Sequence, residues 1–270
     1  VATQQGTPGD TPSDPKRLGL DGDGRQTRSV SLGMLWGCLS SGVRDFFAAP
    51  VISVLIALVY TVGGWLLIAM LASLNLPYLV YPLAMGFALI APFVAIAFYA
   101  VARFLESGET PTVQNVWAAV WTGRRHDIRW MALMTAFAFF FWIDMAAILT
   151  LSFFGSMVLD FDALLNAILT TPEGWTFLVV GHLVGAVIAM AVFSISVVAF
   201  PMLFDRDVDI MSAIITSVRL VWRNPITMTI WCGTIAVLTG IALASALFLL
   251  PVILPVLGYA SWHLYRRAVV

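Results

Sequence analysis

Residues 46–102 read FFAAPVISVLIALVYTVGGWLLIAMLASLNLPYLVYPLAMGFALIAPFVAIAFYAVA, without one Asp, Glu, Lys or Arg. A helix crosses a hydrocarbon core of about 30 Å with about 20 predominantly apolar residues, so this run is long enough for two crossings. Asn75, Leu76 and Pro77 stand near its middle and supply the turn. The stretch predicts a membrane hairpin with spans at about 51–73 and 78–101.

The pattern continues downstream. A third span reads over about 128–154, interrupted only by Asp144, and a fourth over about 175–202. Residues 224–265 again lack the four charged types and fit two spans, about 225–243 and 247–265, with a tight turn near 242–247 and a bend at Pro255. Composition agrees: 60% of residues are apolar, 11% are charged and the mean hydropathy is +0.94. The fold class expected is all-α, a polytopic membrane bundle of six transmembrane helices.

Basic residues set the orientation, because Lys and Arg near span ends are retained in the cytoplasm. Lys16, Arg17, Arg25, Arg28 and Arg44 precede the first span. Arg103, Arg124, Arg125 and Arg129 flank the second connection, Arg206, Arg219 and Arg223 the fourth, and Arg266 and Arg267 close the chain. The other connections hold none, and Asp160, Asp162 and Glu173 are the charges left for the outer face. A membrane protein with both termini cytoplasmic is expected, its first partner the lipid bilayer. The net charge of −1 gives no reason to expect nucleic acid.

Two regions are expected: residues 1–30 as a disordered cytoplasmic tail and 31–270 as the transmembrane domain. The tail is rich in Gly, Pro, Asp, Thr and Gln and has too few large apolar side chains to order itself. It lacks the apolar core of a signal peptide, so insertion is expected to start at the first true span. Asp21-Gly22-Asp23-Gly24 opens like a calcium loop, but Leu32 stands where the twelfth-position glutamate is required.

Ahead of span one, Leu32, Leu35, Trp36, Leu39, Val43, Phe46 and Phe47 recur at three- and four-residue steps, with Ser31, Ser40, Ser41 and Arg44 on the other side. This predicts an amphipathic helix in the membrane interface. Val113, Val116, Trp117, Val120 and Trp121, introduced by Thr110-Pro111 as cap and first residue, repeat the pattern before span three. Ile210, Ile214, Ile215, Val218, Val221 and Trp222 do so before span five. Three cytoplasmic interfacial helices, each followed by two spans, suggest three parallel repeats. Val43-Arg44 precedes Pro50 as Val218-Arg219 precedes Pro225, and Pro92 precedes Arg103 by the eleven positions that separate Pro255 from Arg266. The middle copy matches poorly.

Four segments carry a family likeness: Leu169-Thr170-Thr171-Pro172-Glu173-Gly174-Trp175, Val180-Gly181-His182-Leu183-Val184-Gly185-Ala186, Pro201-Met202-Leu203-Phe204-Asp205-Arg206-Asp207-Val208-Asp209, and Pro255-Val256-Leu257-Gly258-Tyr259-Ala260-Ser261-Trp262-His263-Leu264-Tyr265-Arg266. Over about residues 36–267 the chain resembles an uncharacterised family of proteobacterial integral membrane proteins, a domain of unknown function with some members automatically labelled cytochrome c oxidase subunits. The resemblance implies an inner-membrane location and no established activity. The family's closing motif carries a histidine where this chain has Tyr259. The departure removes an i, i+4 pair with His263, and with it the reason to expect a metal or haem.

Reactive chemistry is sparse. His126, His182 and His263 are far apart in sequence, and no nucleophile and base arrangement, phosphate loop or zinc motif is present. Cys38 and Cys232 read as packed free thiols. No catalytic, cofactor or metal residue is assigned. Asp144 is the most provocative residue, since a carboxylate within a span is costly and marks a pathway, a binding site, a polar clasp or a face turned to another subunit. Its depth is close to that of His182 on the next span, so the two form a candidate intramembrane polar pair. Gly181, Gly185 and Ala189 set small residues on one stripe for helix packing. Asp205, Asp207 and Asp209, interleaved with Arg206, read as salt bridging and capping. Trp36, Trp117, Trp121, Trp130, Trp175, Trp222 and Trp262 read as interfacial anchors.

The function these readings favour is a noncatalytic accessory or scaffold subunit packed against a larger energy-transducing complex, respiratory or photosynthetic, with homo-oligomers allowed. The alternative is a carrier or binder of a lipid, quinone or other small apolar molecule between the repeats. An embedded enzyme is disfavoured, because no constellation meets the requirements of a reactive site.

Overall fold

A computed structural model describes residues 28–74, 80–122, 125–155 and 161–269, with the side chains of 80–82, 84–90, 122, 125–129 and 161 outside that description. The tail expected over 1–30 and its Asp21–Gly24 segment, the turn at Asn75 to Pro77, His126 and Asp160 thus lie largely or wholly outside the described residues. The described chain is all-helical: α1 (Leu32–Ala48), α2 (Pro50–Ser73), α3 (Val80–Glu106), α4 (Val113–Thr122), α5 (Arg125–Phe154), α6 (Phe161–Thr170), α7 (Pro172–Ser196), α8 (Ala199–Asp205), α9 (Ile210–Arg223), α10 (Pro225–Ala244) and α11 (Leu250–Ala268).

Four of these are long and apolar enough to cross a membrane: α2, α5 over Trp130–Phe154, α7 together with α8, and α10. The early side chains of α3 lie outside the description, and α11 carries His263, Arg266 and Arg267 in its last turns. α11 is the hub of the bundle. It packs on α1, α2, α3 and α10, and most of its residues from Leu250 to Ala268 are buried. Two glycines let neighbours approach: a Cβ on Gly42 would meet Val256 O at 2.6 Å and Ala260 N at 2.9 Å, and one on Gly258 would meet Phe98 at 2.9 Å.

Caps and breaks follow local chemistry. Asp209 accepts from Ser212 N at 2.9 Å and starts α9, as the capping reading expects. For α4 the cap is Thr112 rather than Thr110: its Oγ1 accepts from Asn115 N while Asn115 Oδ1 accepts from Thr112 N at 2.7 Å. The fourth span is broken. α7 stops at Ser196, and Val198 N donates to Ser217 on α9 instead of to its own helix. α6, where the sequence reading places no helix, folds back on α7 at Gly174, whose missing Cβ leaves room for the carbonyls of Ala167 and Ile168. The turn between α10 and α11 holds Ala246 at φ 51° and Leu247 at φ 70°, left-handed values unusual for side chains with a Cβ. Trp65 Nε1 donates to Ala246 O at 2.7 Å and helps hold that turn.

α1 and α9 bury matching positions. Cys38, Ser41, Gly42, Asp45 and Phe46 fall at the same spacings as Ala213, Thr216, Ser217, Leu220 and Val221. One junction residue follows each helix, Ala49 (φ −138°, ψ 57°) and Asn224 (φ −130°, ψ 52°), and a proline then opens the next helix. Tyr99 and Trp262, each four residues before Arg103 and Arg266, stack with centroids 6.0 Å apart.

On the expected polar side of α1, Ser31, Ser40 and Arg44 are exposed and Ser41 is not. Ser41 and Asp45 are buried, and Leu32, Trp36, Val43 and Phe47 are exposed, because α1 turns its small and polar face to the charged end of α11. α4 and α9 likewise expose Val113, Trp117 and Trp121, and Met211, Ile215 and Trp222.

Candidate functional site

Chemistry-bearing side chains gather at the end of the bundle where α1, α3, α8 and α11 meet. Asp45, one turn before the end of α1, and His263, two turns into the polar end of α11, are both buried, and His263 Nε2 lies 2.6 Å from Asp45 Oδ2. The other ring nitrogen, Nδ1, is 3.9 Å from Glu106 Oε1 at the last position of α3. Arg266 then joins two helix ends, 3.4 Å from Glu106 Oε2 and 3.5 Å from Asp205 Oδ2. Tyr265 donates to the same Asp205 oxygen at 2.8 Å. Arg44 reaches Asp45 Oδ1 at 4.0 Å from the exposed side.

Around this chain of contacts further polar groups are paired, while the buried Trp262 Nε1 has no hydrogen-bond partner among the described residues. Tyr259 and Ser53 are joined by a hydrogen bond of 2.5 Å, and because the Ser53 hydroxyl donates to Ala49 O, Tyr259 is the donor. Arg267 donates to Ser41 at 2.9 Å and fills the space left by Gly37. Burial pushes the Cys38 thiol up from its ordinary range, and the nearby Arg267 guanidinium opposes that shift. Arg206 donates to Val269 O at 3.1 Å, and Arg103 lies 4.6 Å over the Phe204 ring. Asp205 and Arg206 thus salt-bridge or hydrogen-bond to the C-terminal helix, while Asp209 caps α9.

The arrangement has the composition of a proton-handling site and the connectivity of a tie. Every carboxylate in it meets a cation or a hydrogen-bond donor, and the contacts join four helices that are far apart in sequence. A charge-assisted pair of this kind is strong when desolvated and satisfied, and costly when one partner is removed. Among the described residues no group of three His, Cys, Asp or Glu is placed to hold a metal ion.

Asp144 and His182 lie elsewhere. Asp144 is exposed on α5, in a stripe with Phe137, Phe140, Phe141, Ile148 and Leu151, and none of the most apolar stretch of α5 is buried. His182 is exposed on α7, between Val179, Leu183 and Val187, with Nδ1 2.7 Å from the carbonyl of Leu178. α5 and α7 pack on each other, yet among the described residues no hydrogen bond or ion pair joins the two side chains. Of the small-residue stripe, a Cβ on Gly185 would meet the Trp142 ring at 3.3 Å, one on Gly181 would meet open space, and Ala189 is exposed.

A small apolar cavity of about 20 Å³ lies among α2, α3, α10 and α11, lined by Tyr60, Leu243, Leu254 and Leu257. Pockets that hold drug-sized ligands run to about 300 Å³ or more, so this one is far below the size a quinone needs.

Residues 80–205 match the family model described as "Predicted integral membrane protein (DUF2189)". That match spans α3 to α8, including Glu106, Asp144, His182 and Asp205 but not Asp45 or His263, and is consistent with an uncharacterised family of membrane domains. No curated protein and no solved structure matches the chain.

Proposed function

We propose that this chain is a noncatalytic scaffold or accessory subunit of a larger, energy-transducing complex in a bacterial inner membrane. One observation carries the reading: the titratable groups at the charged end of the bundle are engaged with one another, Asp45 and His263 buried and Glu106, Arg266 and Asp205 nearer the surface, so that the five tie helices together and present no free nucleophile or base. The exposed aromatic faces of α1, α4 and α9 add the anchoring a scaffold needs, lying in the cytoplasmic interface with Trp36, Trp117, Trp121 and Trp222 at headgroup level.

The topology that belongs to this reading has six spans, α3 and α11 completing the four long apolar helices, and both termini in the cytoplasm. The shared burial register of α1 and α9 and their matching proline junctions support a parallel repeat of surface helix and two spans. Purification of the tagged chain from its native membrane in mild detergent tests the function. Stoichiometric co-elution of other integral membrane proteins, identified by mass spectrometry, is the expected result. Elution free of other proteins, with a stoichiometric small apolar molecule, overturns it.

A further inference from the structure

Asp144 and His182 stand at nearly one depth on the outside of neighbouring antiparallel helices. The Trp142 ring against Gly185 fixes the register between α5 and α7. From that contact Asp144 is two residues along α5 and His182 three residues back along α7, about 3 Å and about 4.5 Å toward the end where Phe153 and Phe154 meet Phe177. Both side chains are exposed. The surrounding surface is apolar, with Phe137 71% and Leu183 63% exposed.

The two groups are chemically matched. Leu178 O can only accept, so His182 Nδ1 is its donor, and Nε2 is the ring nitrogen left to meet a partner on this exposed residue. A single proton shared between Nε2 and a carboxyl oxygen makes either an imidazolium and carboxylate pair or an O–H···N hydrogen bond. Each group is costly in hydrocarbon without such a partner.

We propose that this face of α5 and α7 is the interface of a homodimer, in which Asp144 of each copy pairs with His182 of the other. A twofold contact places residue i against residue j and j against i, so a surface holding both halves of a pair at one depth completes two pairs at once. A foreign helix would have to supply a partner for each group separately. The dimer is independent of the scaffold role, because it can form whether or not further subunits join it.

The test exchanges the groups. In liposomes, with self-association read by energy transfer between labelled copies, Asp144→His and His182→Asp are each expected to weaken dimerisation about tenfold. Mixed together, the two variants restore it, since one copy then carries two histidines and the other two aspartates. Failure of the mixture to pair while the wild type does, undiminished pairing of either variant alone, or a monomeric wild type overturns the proposal. Should an exchanged chain fail to fold, Ile148→Cys, one turn from Asp144, decides: a disulfide-linked product of twice the chain mass in native membranes is expected. A crosslink at 148 to a different protein, or none, contradicts the dimer.

Discussion

The charged end of the bundle and the α5/α7 pair both carry ionisable residues, yet they treat them in opposite ways. Asp45 and His263 are drawn inward and matched within 2.6 Å, whereas Asp144 and His182 face outward on two touching helices and do not pair within the chain. A buried group with a partner serves the fold, and an exposed one inside an apolar stripe serves something outside it. Glycines divide the same way. A Cβ on Gly42 would run into the backbone of α11 where α1 crosses it, while one on Gly181 of α7 would meet nothing.

The largest effect expected is at the inner pair. Asp45→Ala or His263→Ala leaves a buried group unmatched and should cost about 3 kcal/mol in detergent unfolding. The double variant should cost clearly less than the sum of the two; additive losses would dissolve the pair and with it the contrast. Gly42→Ala comes next, at about 2 kcal/mol, because the new methyl meets the backbone of α11. A thermal midpoint unchanged by that variant would show the α1 crossing to be looser than described. Ser53→Ala strips the acceptor from Tyr259 and is expected to cost about 1 kcal/mol, read by the same unfolding curve. Smallest is Gly181→Ala, expected within about 0.5 kcal/mol of the wild type when the isolated chain is unfolded. Loss of stability there would place a close neighbour on α7.

The sequence reveals what is local. Span positions follow from uninterrupted apolar runs: α2, α5 and α10 begin and end within a few residues of the positions read from hydropathy, and α7 begins near its expected start but stops at Ser196, short of the expected end near 202. The amphipathic helices α1, α4 and α9 follow from three- and four-residue spacing. Which side of α1 faces inward does not, because Ser41 and Asp45 are buried by contacts with Arg267 and His263 that lie more than two hundred residues away. Spacing identifies a helix and its stripes, but the polarity of the stripe that is buried depends on what α11 offers. The signal available was Asp45 itself, a carboxylate followed by Phe46 and Phe47 just before a span. α6 was readable from Leu164, Leu165 and Ile168 at helical steps, although its length suits a connecting helix rather than a span. The break after Ser196 required knowing that Ser217 would capture the Val198 amide, a contact between elements.

Oxygen accessibility of a spin label in the native membrane tests most directly whether the outward face of α5 is an interface. Labels are placed at Ile148 on α5 and, as a lipid-facing reference, at Val59 on α2, which is 78% exposed. A dimer interface on α5 gives restricted motion and low oxygen accessibility at 148 beside free motion and high accessibility at 59. Equal, lipid-like values at the two positions would contradict it.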